Sequence, residues 1–186
     1  MRKLVQALFF ISFAFSSQAQ IVDFSNATIH VTKELKSPYR ETYLRLIQEE
    51  IKSRTDLNLR VQDKSDAMPI IALVFATDQN LNGISLPQLP KNSPAFAKEG
   101  YAFSIDISTK RPILWLIGGD ARGILFSLGE FFRKADLSKH KILVDKKYDV
   151  AVSPLHTIRG HQLGYRNTAN SWDAWDAKHY EQYIRD

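Results

Sequence analysis

Along the chain from Ala27, apolar positions recur in two rhythms. Ala27 to Val31 alternates weakly and predicts a first strand. The period then lengthens: Tyr39, Tyr43, Leu46, Ile47 and Ile51 form one helical stripe, with Arg40, Glu41, Arg45, Gln48, Glu49 and Lys52 outside it. Ser37 is expected to cap this helix and Pro38 to occupy its first position. Leu57 to Gln62 reads as a short strand. Pro69 to Ala76 is apolar throughout, as a central strand covered on both faces would be.

Tyr101 to Ile107 alternates cleanly, with Tyr101, Phe103, Ile105 and Ile107 on one face and Ser104 and Asp106 on the other. Pro112 to Ile117 is a second continuous apolar run. Only the polar stretch Ser108 to Arg111 separates the two, which predicts a hairpin. Gly118-Gly119-Asp120 ends the second run, and Asp120 is a suitable helix cap. Ile124, Leu125, Leu128, Phe131, Phe132 and Ala135 then return to helical spacing. Ile142 to Val144 is expected to be the last strand. The hairpin brings antiparallel neighbours into a βα pattern, so the fold class is α/β, a small mixed-sheet sandwich spanning residues 20–153.

Two regions break the rhythm. Thr77 to Glu99 holds Pro87, Pro90, Pro94 and several asparagines. Long irregular segments in compact domains are often functional, but a variable surface excursion is the commoner case and the one expected. After Pro154, Leu155 to Arg159 reads as a strand, Gly160 to Ser171 as a polar loop, and Trp175, His179, Tyr180, Tyr183 and Ile184 as a helical stripe. Neither a glycine cap nor a proline follows before Asp186. Residues 154–186 are therefore expected to be the truncated start of a second domain, with IRGHQLGYR at its boundary; the alternative is a genuine terminus with a docked helix.

The first residues obey a different rule. Arg2 and Lys3 precede an apolar run from Leu4 to Phe15, and Ser17-Gln18-Ala19 puts small residues at the −3 and −1 positions of a cleavage site. Residues 1–19 thus read as a secretory signal peptide. The run is too short to span a bilayer, which takes roughly 20 residues, and no cysteine follows it to carry a lipid. The mature chain is expected in the periplasm or outside the cell, with no membrane association.

Loss of Arg2 and Lys3 lowers the formal charge from +5 to +3. The remaining cations are interspersed with acids, so the basic stripe of a nucleic-acid binder is missing. An exported chain without cysteine must be stabilised by its core. Thiol chemistry and cysteine metal sites are excluded.

Candidate chemistry is sparse. Gly118, Gly119 and Gly123 fail the dinucleotide pattern because Asp120 stands at the second glycine position. They fail the P-loop pattern because Ile124 and Leu125 replace Lys and Ser/Thr. A tight strand-to-helix turn explains them. His30, His140, His156, His161 and His179 show no H-E-x-x-H spacing, and G-x-S-x-G is absent. Nothing marks two of the acids Asp63, Asp66, Asp106, Asp120, Glu130, Asp136 and Asp145 as partners across a substrate. No catalytic residue, metal ligand or cofactor is expected.

Arg159 to Asp173 differs. It gathers Arg159, His161, Gln162, Tyr165, Arg166, Asn167, Asn170, Trp172 and Asp173, with Trp175 just beyond. Rings that stack on pyranose faces, beside forked donors and acceptors for hydroxyls, suit a sugar site. If Leu155 to Arg159 is a barrel strand, the loop after it lies on the face where barrels keep their active sites. An interdomain seam favours the same residue types, and both readings stay open.

With the hairpin, the IGGDARGILFSLGEFFR turn and helix, and a following Arg-Gly, the chain resembles the N-terminal part of bacterial family 67 α-glucuronidases and family 20 β-hexosaminidases. Both carry a small α/β domain before a (β/α)8 catalytic barrel. Arg159-Gly160 is similar to the Arg-Gly of the first hexosaminidase barrel strand, whose arginine binds sugar hydroxyls, although the acid that follows there is missing. Asn170-Ser171-Trp172-Asp173 resembles the Asn-His-Trp-Asp run early in the α-glucuronidase barrel, with Ser171 in place of histidine. The resemblance implies substrate contacts at Arg159, Trp172 and Asp173, to which the polar aromatic segment adds His161, with residues 154–186 as the first βα unit of the barrel. It implies catalytic carboxylates farther along that barrel. The expected function is the non-catalytic N-terminal domain of an exported, α-glucuronidase-like glycoside hydrolase in xylan breakdown. Expected partners are an oligosaccharide or polysaccharide and the remainder of the barrel. The alternatives are a β-hexosaminidase-like parent, a stand-alone carbohydrate-binding module, or a structural domain.

Overall fold

The computed structural model describes residues 20–64, 68–160 and 174–185. The chain divides into two compact units, the first ending at Ser153 and the second beginning at Pro154. In the first unit the elements run β1 (Ile21–Asp23), β2 (Thr28–Val31), α1 (Tyr39–Thr55), β3 (Arg60–Val61), β4 (Ile70–Phe75), β5 (Asn80–Leu81) and β6 (Ile84–Ser85). They continue with β7 (Tyr101–Asp106), β8 (Ile113–Gly118), α2 (Ala121–Lys134), β9 (Asp136–Ser138), β10 (Lys141–Asp145) and β11 (Val150–Val152).

The main sheet has six strands in the order β11-β7-β8-β4-β2-β3. Strands β3, β2, β4 and β8 are mutually parallel, and β7 and β11 add antiparallel pairs at one side. Parallel neighbours need a crossover, and α1 supplies it between β2 and β3. The β7–β8 hairpin forms as the alternation predicts, with Tyr101 opposite Gly118 and Asp106 opposite Ile113. The fold is mixed α/β.

Strands β4 and β8 bury both faces. Ile71, Leu73, Leu114 and Leu116 point into one core, which α1 closes with Tyr43, Ile47 and Ile51 and α2 with Ile124, Leu128 and Phe131. A second sheet, in the order β1-β10-β9, adds Val22, Ile142 and Val144 to the same core. The stretch Ile142 to Val144 is thus not the last strand, as expected, and lies outside the main sheet; β11 comes last. Its partner β1 and the closing strand β11 have three residues each, too few to show a period.

The opposite face carries Ile70, Ala72, Val74, Ile113, Trp115 and Ile117. No helix covers it. The irregular stretch after β4 does: Leu81 and Ala95 are buried there, and Ile84, Leu86 and Leu89 pack alongside. The β5–β6 hairpin and a 3-10 turn at Pro94–Phe96 shape this cover. The expected surface excursion is therefore a structural layer, required because both central strands are apolar on both sides.

Other expectations need correction. Helix α1 starts at Tyr39; Pro38 holds the cap position, and no side chain caps the helix. Without an N–H, Pro38 still offers its carbonyl, which accepts bonds from the Thr42 N–H and hydroxyl. Of Leu57 to Gln62, only Arg60–Val61 pairs as a strand, because β2 offers a partner only there. Leu155 to Arg159 forms no strand: it has no pairing neighbour among the described residues, and Leu155 and Ile158 are 95% and 91% exposed.

The β8–α2 turn is compact. Asp120 caps α2 as expected, accepting the Gly123 N–H at 2.8 Å through one oxygen and the Glu99 N–H at 3.0 Å through the other. The buried Tyr43 hydroxyl donates to the Ala121 carbonyl at 2.9 Å, and burial pushes its pKa up to about 12, so it remains a donor. Backbone approaches so closely here that a Cβ on Gly119 would stand 2.2 Å from the Ala97 oxygen, and one on Gly123 2.2 Å from the Gly100 oxygen. By contrast, a Cβ on Gly129 would meet only the Arg133 side chain, at 3.6 Å. Two alanine substitutions in one helix should therefore act oppositely in urea unfolding. Gly129→Ala should stabilise by roughly 0.5–1 kcal/mol through helix propensity. Gly123→Ala should destabilise by about 2 kcal/mol through overpacking. A shift of the same sign for both would contradict the packing described.

Candidate functional site

Of the four residues expected to contact substrate, Arg159 lies among the described residues, and His161, Trp172 and Asp173 lie outside them. Gln162, Tyr165, Arg166, Asn167 and Asn170 also lie outside them, as do residues 1–19. Arg159 is exposed, and its guanidinium donates to the His156 carbonyl at 2.7 Å. That bond closes a local turn in the segment expected to be a strand.

Immediately beyond, the second unit builds a compact aromatic and polar cluster. Helix α3 spans Ala177–Arg185. Asp176 sits at its N-cap: one carboxylate oxygen accepts the Lys178 N–H at 2.9 Å and the His179 N–H at 3.1 Å, while its carbonyl accepts from Tyr180. The same oxygen bonds the His179 ring nitrogen Nδ1 at 2.7 Å. The other oxygen, Oδ2, receives no bond among the described residues. The His179 backbone N–H, then the His179 ring, hold the Asp176 carboxyl below its usual range.

Trp175 precedes this cap and gathers three rings. His179 stacks on it at 6.1 Å and 19°, Tyr180 meets it edge-on at 5.4 Å, and Tyr183 tilts against it at 5.7 Å. Helical spacing of three or four residues puts these side chains on one side. The cluster thus combines a half-buried indole, a carboxylate oxygen open to a new donor, and an imidazole. Sequence reasoning found the ring stripe but missed Asp176 and its bond to His179. The available signal was an aspartate three residues before a histidine, just ahead of the periodic run.

The buried carboxylates of the first unit, Glu50, Glu99, Glu130 and Asp145, each meet a basic side chain. Buried Glu99 meets Arg122 at 2.5 Å. Buried Glu130 meets Arg133 at 2.6 Å and accepts from the Tyr101 hydroxyl at 3.4 Å. Burial, and then the charge of Glu130, raise the Tyr101 pKa. His30 is buried on β2 between the Thr28 hydroxyl at 3.0 Å and the Asn82 amide at 3.1 Å, so it tethers the β5–β6 turn to the sheet. The Gly118-Gly119-Asp120 turn offers no phosphate cradle, because its N–H donors are taken: Gly119 donates to the Gly100 carbonyl and Gly123 to Asp120. Among the described residues no three His, Asp or Glu side chains converge on a metal position, and no helix is long and apolar enough to cross a membrane.

Among known proteins, no family model matches the chain, and no curated protein matches it.

The cap gives a pH prediction. A carboxylate with a lowered folded pKa contributes fully above its ordinary pKa, about 3.9, and that contribution is lost as pH falls through the lowered value. On acidification from about pH 5, helical NMR shifts of Ala177 to Tyr180 should hold to about pH 4 and decline below it. Asp176→Ala should reduce them above about pH 4, where the carboxylate is charged, and flatten this dependence; unchanged shifts in that variant would remove Asp176 from the role.

Proposed function

We propose that the chain supplies a non-catalytic α/β domain of an exported glycoside hydrolase acting on polysaccharide, of the α-glucuronidase type, together with a segment that contacts the glycan. The reading puts the mature protein in the periplasm or outside the cell after loss of residues 1–19, and assigns substrate contacts to Arg159, His161, Trp172 and Asp173. One observation carries it: the Trp175 cluster, with Asp176 Oδ2 and His179 at its side, continues the polar aromatic segment that resembles the start of a glycosidase barrel. A planar ring beside a carboxylate acceptor and an imidazole suits a pyranose, whose C–H face stacks while its hydroxyls bond. The first unit is consistent with an accessory role, since its buried carboxylates Glu99 and Glu130 each serve an ion pair.

A stand-alone binding module is the second reading. It is favoured by the way the Trp175 cluster is completed by residues within nine positions of one another.

The mature chain should retard in affinity electrophoresis with glucuronoxylan and release no sugar from aryl glycosides. Trp175→Ala should weaken the retardation about tenfold, the loss of one ring contact. Sugar release by the purified chain would overturn the non-catalytic assignment. Absence of binding, or binding indifferent to Trp175→Ala, would remove this segment as a glycan site.

A further inference from the structure

A half-open cleft of about 600 Å³ lies between the β5–β6 turn and the β7–β8 turn, far along the chain from the Trp175 cluster. That volume falls in the range of small-molecule sites, roughly 300–1,000 Å³. Gly83, Ile84 and Ser85 line one side, Lys110 and Arg111 the other, and Ile113 the floor. We propose that this cleft binds a small organic oxyanion, a carboxylate or sulfate carried on a ring with an apolar face.

Charge and surface together select that chemistry. Neither Lys110 nor Arg111 pairs with a carboxylate among the described residues, so two cations face the cleft without an anion of their own. The Ser85 hydroxyl has no hydrogen-bond partner among the described residues, and it adds a neutral donor. Half-buried Ile84, above the buried Ile113, supplies an apolar surface that a bare inorganic anion would leave unused. A ring acid satisfies both: its oxyanion takes charge-assisted bonds, and its ring covers Ile84.

Both walls are held in advance of binding. On one side Asn82 and Gly83 adopt positive φ angles of 54° and 84°, and buried His30 anchors Asn82 from below. Gly83 has only open space where a side chain would be, which leaves the mouth of the cleft clear. On the other side Asp106 accepts both the N–H and hydroxyl of Ser108, at 2.8 and 2.6 Å, and the Thr109 hydroxyl bonds the Arg111 carbonyl at 2.5 Å. These bonds brace the turn that presents the two cations, so little ordering cost remains for a ligand to meet.

The test is an NMR titration of the mature chain with glucuronate, benzoate, glucose and inorganic sulfate. At least one ring acid should shift the amides of Ser85, Lys110 and Arg111, with an affinity about tenfold or more above that of glucose and of inorganic sulfate. Glucuronate binding better than benzoate would identify an acidic sugar, and the reverse an aromatic acid; both support the site. The double variant Lys110→Ala/Arg111→Ala lies on an exposed turn and should keep its urea midpoint while losing about tenfold in affinity. Trp175→Ala should leave this binding intact, which separates the outcome from that of the glycan segment. No shift with either ring acid, equal binding of glucose, equal binding of bare sulfate, or undiminished binding by the double variant would each overturn the proposal.

Discussion

The need to cover both faces of β4 and β8 organises the first unit. Ile70 to Val74 and Ile113 to Ile117 are no more than 1% exposed, although they point alternately to opposite sides. One side is closed in a familiar way, by two helices whose apolar stripes match the sheet. The other side has no helix available, because both connections that form helices lie against the first face. The proline-rich stretch after β4 must therefore fold back over Trp115 and its neighbours. Its lack of regular structure reflects what it is, a layer made of turns.

At one end this layer approaches the sheet so closely that backbone meets backbone without side chains between. Gly100, before β7, and the glycines around the β8–α2 turn provide that space: the oxygens of Pro94, Ala97 and Gly100 lie where Cβ atoms on Gly100, Gly119 and Gly123 would be. The same glycines that suggest a nucleotide loop on paper are used for packing. His30 performs a related task from within the sheet, holding the Asn82 turn down by a buried polar contact. A second consequence follows at the far edge of this cover, where its hairpin and the β7–β8 turn leave a cleft with two cations on its rim.

Much of the architecture was legible in the chain. The two apolar runs, the short polar link between Tyr101–Ile107 and Pro112–Ile117, and the Asp120 cap ahead of a six-residue stripe are local signals, and local physics is sufficient to act on them. What failed depended on distant partners. Leu155 to Arg159 has the composition of a strand but pairs with no neighbour among the described residues, and the Arg159–His156 bond turns it locally. Ile142 to Val144 is a strand, yet its partner is β1, more than a hundred residues earlier, which removes it from the main sheet. The role of Thr77 to Glu99 was implicit in the two-sided burial of PIIALVFA and PILWLI, since two helices cannot cover two faces from one side. At the candidate site, the ring stripe was visible as spacing, whereas the Asp176–His179 bond required the turn of α3 to bring the groups together.

The functional account rests on a sugar meeting the indole of Trp175. The most direct measurement is the indole N–H spectrum of the mature chain during titration with xylan-derived oligosaccharides bearing glucuronic acid. The account predicts that the Trp175 resonance moves saturably while that of Trp115, buried beneath the turn-built layer, stays fixed. A Trp175 resonance that does not move at saturating oligosaccharide would contradict it.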